Sequence, residues 1–160
     1  MPSDQPLVSY RSMLPDDETD VDALVQSVFD EIDAPGFAND GIAAFKKLIS
    51  AGSFTDRLRS GSLVLLAVSE KKIIGILEML HYRHIALVFV EKPFQKIGIV
   101  QELCRKAVIL CRKLNPDLQE ITVNASPNAL GAYQKMGFTP TEDEKEENGI
   151  RFTPMALKIE

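Results

Sequence analysis

The sequence predicts an α+β fold of mixed α/β type: a central mixed, mostly antiparallel sheet of six to seven strands, flanked by about four helices. Three observations carry this expectation. The apolar runs Leu63–Val68, Ile73–His81 and Ile85–Val90 are separated by short polar turns, the pattern of an antiparallel meander. The third run passes through Glu91–Gly98 into a helix with Val100, Leu103, Ala107, Leu110 and Leu114 at helical spacing. The β-branched stretch Glu120–Asn124 then follows at crossover distance, which makes it a parallel neighbour of the central strand.

In chain order, residues 1–7 hold two prolines and read as a loose lead-in to one domain spanning 1–160. Val8–Met13 is a short strand. Pro15-Asp16-Asp17 starts a helix whose acidic first turn suits the dipole, with Val21, Leu24, Val25, Val28, Phe29 and Ile32 on one face, and Ala34-Pro35-Gly36 stops it. A second helix carries Ile42, Phe45, Leu48 and Ile49 and ends at Gly52, and a short third runs from Thr55 to Ser60. After the meander, the central helix ends near Leu114-Asn115-Pro116. Pro127–Met136 is the next helix, with proline near its first turn where a missing amide costs nothing. Gly137-Phe138 leads into another strand, and Asn148-Gly149 favours a type I′ turn that makes a hairpin with the last strand, Arg151–Ile159.

Composition narrows the function. A chain of 160 residues, 45% hydrophobic and 26% charged, can bury one sizeable core. The net charge of -5 and the absence of a basic cluster beyond pairs such as Lys46-Lys47 and Lys71-Lys72 argue against a nucleic-acid partner. An acidic surface favours a cationic small molecule instead. Cys104 and Cys111, seven apart on one helix face, read as buried small hydrophobes, so no metal or disulfide is expected. With no basic leader and no apolar run longer than Leu63–Val68 or Ile85–Val90, the expectation is a soluble, cytoplasmic protein with no membrane partner; a homodimer is compatible with it.

The strand-loop-helix unit carries the chemistry. Pro93 ends the strand, and Gly98 permits close backbone approach where the helix's first free amides begin. Those amides and the positive end of the dipole suit a phosphate or pyrophosphate near Gln95–Gln101. The segment Gln95-x-x-Gly98-x-Val100, preceded by Val90 and followed by Leu103, resembles the pyrophosphate loop of the acetyl-CoA-dependent GNAT-superfamily N-acetyltransferases, which reads Gln/Arg-x-x-Gly-x-Gly/Ala. A second block, Val123–Phe138, is similar to that family's other signature: Ala129, then Tyr133, then Lys135-Met136-Gly137-Phe138. The similarity is close over 85–138 and looser over the rest. It implies a GNAT-like sheet whose central parallel pair is splayed, with acetyl-CoA as cosubstrate and an amine as acceptor. It also implies cofactor contacts at Val88, Phe89, Val90, Gln95, Lys96, Ile97, Gly98, Ile99, Val100, Gln101, Asn124 and Asn128. Val100 stands where the family has Gly or Ala, and being in phase with Leu103 it is expected to be core while its amide faces the ligand. Ser126 stands where the family often has Asn.

Direct acetyl transfer to an amine needs a held thioester, a neutral amine and a proton for the departing thiolate. Tyr133 is the candidate acid, because a phenol near pKa about 10 remains protonated where a thiol near about 8.5 must leave; the resemblance implies the same role. An alkyl amine near about 10.4 costs roughly 4–5 kcal/mol to deprotonate at neutral pH. Candidate bases are Glu78, a carboxylate interrupting an apolar strand, His84 and His81 at the strand junction, and Glu91 at the end of the central strand. The acidic run 142–147 reads as a solvated loop or as an attractor of a cationic acceptor. The function expected is N-acetyltransfer from acetyl-CoA to a primary amine; a non-catalytic acyl-CoA-binding or protein-interaction module on the same fold is the alternative.

Overall fold

A computed structural model describes residues 7–48 and 53–159. Residues 1–6 of the lead-in and the expected helix end at Ile49–Gly52 lie outside the described residues. The chain begins with β1 (Ser9–Ser12), a one-turn Pro15–Asp17 segment and α1 (Glu18–Val28). The helical path does not stop there. It widens into a π-turn at Phe29–Asp33, tightens at Ala34–Gly36, and is followed by α2 (Asn39–Leu48) and α3 (Ser53–Arg59). The meander is β2 (Leu63–Ser69), β3 (Lys72–Leu80) and β4 (His84–Val90). Then come α4 (Ile99–Leu114), β5 (Glu120–Ala125), α5 (Leu130–Lys135), β6 (Thr139–Pro140), β7 (Lys145–Glu147) and β8 (Ile150–Lys158).

These strands make one eight-stranded sheet in the order β1-β2-β3-β4-β5-β8-β6, with β7 also on β8. Every pairing is antiparallel except β4 with β5. The architecture is the expected mixed α+β one. The strand count exceeds six to seven because the segment after Phe138 pairs with β8 in two short pieces, the second of them inside the acidic run. The β7–β8 turn has positive φ at both Asn148 (53°) and Gly149 (80°), as a type I′ turn requires. The β2–β3 and β3–β4 turns have positive φ at both central residues as well, with no glycine: Glu70-Lys71 and His81-Tyr82. Strand β3 therefore ends at Leu80, and His81 belongs to the turn that Arg83 N–H closes on Leu80 O at 3.0 Å.

The sheet is covered on both faces. One face packs on α4 through Ile99, Leu103, Cys104, Ala107 and Cys111, together with Leu77, Met79 and Ile121. Leu114, expected on this stripe, is 59% exposed; the two cysteines hold the buried face instead. The other face packs on α1 and α3 through Val21, Val25, Phe29 and Phe54 against Leu66, Ile76 and Leu87. Burial pushes the Cys104 and Cys111 thiols up to about 12 and about 11, which leaves them inert as nucleophiles. Helix α5 starts three residues later than expected. Pro127-Asn128-Ala129 form a turn in which the Ala129 and Leu130 amides both donate to Ser126 O. No helix among the described residues is long and apolar enough to cross a membrane.

Candidate active site

The site begins where the parallel pair opens. Strands β4 and β5 are in register at only two positions, His84↔Thr122 and Ile85↔Val123. Against β3, the register shifts so that Glu78 faces Leu87 and Met79 faces Ile85, which leaves Ala86 as a bulge. A bulge bends its strand and increases local twist. Past Ala86, β4 stays on β3 through Val90 while β5 continues on β8 to Ala125. Among the described residues no strand pairs with the β5-facing edge of β4 beyond Ile85, so a row of backbone donors and acceptors faces the opening.

The loop after β4 is aimed at the same opening. The Gln95 carboxamide donates to Val90 O at 2.8 Å and ties the turn to the strand end. Lys96 (φ 66°) and Gly98 (φ 91°) both adopt left-handed backbone. A Cβ built on Gly98 would meet no protein atom within 4 Å, so the glycine is required here for its dihedral and not for protein crowding. The first bond into the helix is Glu102 N–H to Gly98 O at 3.0 Å, which leaves the amides of Ile99, Val100 and Gln101 as the open first turn of α4. The helix is 16 residues long, enough for its dipole to matter at this end.

A groove of ≈ 730 Å³ runs along this surface. Of the residues expected to hold a cofactor, Val88, Phe89, Val90, Gln95, Lys96, Gly98, Ile99, Val100, Gln101 and Asn128 line it. Ile97 instead packs on the α4-side core. Asn128 donates to Ile32 O at 3.2 Å, bridging the end of the α1 path to the start of α5. Val100 both packs on the core and lines the groove, so the core expectation describes only half of its surroundings. Lys96 and Lys135 add positive charge to the lining; Lys135, read from the sequence as part of the second signature, is not among the expected cofactor contacts. This donor set, open helix amides beside two lysines, suits a pyrophosphate-bearing ligand.

The groove meets a second, smaller cavity of ≈ 110 Å³; the two share Val88, Phe89, Ser126 and Ala129. Tyr133 and Asn124 line this cavity, with Tyr133 only 6% exposed. Tyr133 packs edge-on to Phe138 at 5.3 Å. Five of the chain's eight phenylalanines, Phe29, Phe37, Phe45, Phe89 and Phe152, form much of the wall. The sequence showed Phe29 and Phe45 as ordinary helix-stripe residues. Only their convergence from the α1 path, α2, β4 and β8 reveals a cavity.

The candidate bases are dispersed. Glu78 is 1% exposed and lies on the α1–α3 side, where its Oε2 accepts from Arg57 Nε at 2.5 Å, and Arg57 sits 4.3 Å over the Phe54 ring. Burial raises the Glu78 pKa, opposed by Arg57 and a hydrogen bond from Ser62. Glu78 lines neither the groove nor the aromatic cavity. His84 is at the closed end of the parallel pair, its Nδ1 2.7 Å from Thr122 Oγ1, and with His81 it lines a different cleft of ≈ 600 Å³. Its pKa is lowered by burial first and by Arg83 and His81 second. Glu91 pairs with Lys72 at 2.9 Å. The structure thus brings Tyr133 together with the cofactor-groove residues and keeps Glu78, His84 and Glu91 apart from it. Among the described residues, no group of three or more His, Cys, Asp or Glu could hold a metal ion.

Known proteins match the chain in fold, and a known family matches most of its sequence. The acetyltransferase (GNAT) domain family matches residues 33–159. A GCN5-related N-acetyltransferase from Rhodopseudomonas palustris superposes with a TM-score of 0.82 at 21% identity, covering 99% of each chain. PaiA N-acetyltransferase from Thermoplasma acidophilum, solved in complex with coenzyme A, superposes at 0.80 with 14% identity, over 96% of this chain and 99% of that one. Escherichia coli ElaA superposes at 0.62 with 16% identity, over 94% and 99%. At these identities the likeness is one of fold. No curated protein matches in sequence.

Proposed function

Since the chain belongs to the GNAT acetyltransferase family and so to the acyltransferases that use a coenzyme A thioester, we propose that it moves an acetyl group from acetyl-CoA to a primary amine by direct attack in a ternary complex. The observation that carries this reading is the continuity of the groove. An unpaired β4 edge and open α4 amides lead to an adjoining aromatic cavity with Tyr133 in its wall. The α4 amides of Ile99, Val100 and Gln101, with Lys96 and Lys135, hold the pyrophosphate, and the backbone of Val88–Val90 holds the pantetheine as an added strand would be held. The cosubstrate supplies an acyl group activated as a thioester.

The residues do the rest. The aromatic cavity confines the amine next to the thioester, so that its nitrogen forms the new amide bond as the carbon–sulfur bond breaks. Tyr133 gives its phenolic proton to the departing sulfur and recovers one from the solvated groove, into which the amine's own proton also passes. Glu78 acts as a structural carboxylate paired with Arg57, since it borders neither cavity. Calorimetry with coenzyme A and thiol release from acetyl-CoA test the proposal. Tyr133→Phe should lower turnover by about 10²-fold and leave coenzyme A affinity nearly unchanged. Unaltered turnover would remove Tyr133 from the mechanism. The Val100 side chain in the groove lining favours a second reading, an acyl-CoA-binding module without turnover; it would show calorimetric heat with coenzyme A and no thiol release with any acceptor.

A further inference from the structure

The cavity beside Tyr133 also carries information about the acceptor. Its ≈ 110 Å³ compares with about 150 Å³ for an engineered apolar cavity that takes benzene, so it has room for one ring or one branched aliphatic group. Much of its wall is aromatic. Phe29 and Phe45 stack at 4.2 Å and 16°, Phe37 stands edge-on to them at 5.2 and 6.3 Å, and Phe45 is edge-on to Phe89 at 5.9 Å. Phe29 and Phe45 each cover one face of the other, and the rings together present a largely hydrophobic box.

The charge on the lining residues has one sign. Among the described residues that line the cavity, Arg151 is the only charged one, with Asn124, Ser126 and Tyr133 as polar neighbours; no carboxylate and no imidazole is present. Two carboxylates of the acidic run hold ion pairs, Glu142 with Lys145 at 2.8 Å and Glu144 with Arg151 itself at 3.0 Å, so a substrate carboxylate reaches Arg151 by taking the place of Glu144. Arg151 and Glu144 are 53% and 43% exposed, so their pairing contributes about 1 kcal/mol or less and yields readily to a better-placed carboxylate. A guanidinium grips a carboxylate with two parallel hydrogen bonds.

Resting on the acyl-transfer reading above, we infer that the acceptor is an α-amino acid with an apolar side chain: the side chain fills the phenylalanine box, the carboxylate pairs with Arg151, and the α-amine is acetylated. A polyamine or an aminoglycoside brings no carboxylate to take the place of Glu144 on Arg151, and the cavity lining itself holds no carboxylate for its extra positive charges.

The test is acetyl-CoA thiol release by the purified protein with L-phenylalanine, L-leucine, L-phenylalaninamide, L-aspartate and spermidine. L-phenylalanine or L-leucine should exceed spermidine and L-aspartate in kcat/KM by about 10-fold or more. Arg151→Ala should lower kcat/KM for L-phenylalanine by about 10- to 100-fold, the worth of a charged hydrogen-bond pair, but for L-phenylalaninamide by less than about 3-fold. Calorimetric binding of N-acetyl-L-phenylalanine should weaken in parallel, and Arg151→Lys should restore part of it. Spermidine as the best acceptor, or equal losses for acid and amide, overturns the acceptor inference and leaves acyl transfer standing. Coenzyme A binding without thiol release from any acceptor overturns both.

Discussion

Gly41 gives a test in which even the sign is diagnostic. It is the third residue of α2, and an alanine in a helix is ordinarily better than a glycine by about 0.5–1 kcal/mol. Here a Cβ would lie 2.3 Å from Gly149 O, 2.7 Å from its carbonyl carbon and 3.3 Å from its Cα. These are backbone atoms in the β7–β8 turn, so no rotamer change relieves the overlap; α2 and the hairpin must separate. Overpacking of this kind costs about 1–3 kcal/mol. Set against the helix gain, Gly41→Ala should be net destabilising by about 1–2 kcal/mol, a fall in melting temperature of about 2–8 °C for a chain of this size. The same displacement would move Phe45 on α2 from Ile150–Phe152 on β8, which together wall the aromatic cavity. Acceptor KM should therefore rise while coenzyme A affinity, set at the far end of the groove, is retained. Thermal unfolding, calorimetry with coenzyme A and acceptor kinetics on the one variant are sufficient. A raised melting temperature with normal acceptor kinetics would show that the hairpin does not rest on α2 and that the cavity is more open than described.

Gly98→Ala places a side chain at φ 91° with no protein atom nearby, so the fold should lose about 1–2 kcal/mol; calorimetric coenzyme A affinity should fall with it, and an unchanged affinity would separate this turn from the cofactor. Val100→Ala, half-buried and facing the groove, should cost about 1 kcal/mol in denaturant unfolding; several-fold tighter coenzyme A binding at unchanged stability would mean that the valine crowds the ligand. Glu78→Gln should destabilise by about 1–3 kcal/mol, because Arg57 loses a buried anionic partner, yet leave the pH profile of kcat unchanged; a shifted profile would reinstate Glu78 as the base. For His84 the folded pKa is depressed, so between that value and the ordinary 6.5 the unfolded chain binds more protons, and stability is lost as pH falls below about 6.5. In His84→Gln the melting temperature should fall less over that window, and an identical slope would contradict a buried neutral imidazole.

What the sequence determined by itself is what short-range geometry imposes. Alternation and turn chemistry identified the meander and the Asn148-Gly149 hairpin, because period and dihedral preference are properties of a few consecutive residues. Gln95, Gly98 and the start of α4 were legible for the same reason: a helix's open amides follow from where the helix begins. The tertiary structure decided everything that depends on residues far apart in the chain. The Ala86 bulge opens the parallel pair only because β4 remains on β3 while β5 follows β8. Strand phase placed a carboxylate at Glu78, but its partner Arg57 comes from another element and fixes it in an ion pair outside the groove. His84, close in sequence to the site strand, is directed by Thr122 into a separate cleft. The phenylalanine box had no sequence signature, since each ring obeys its own element's periodicity and only packing brings them within 4.2–6.3 Å of one another.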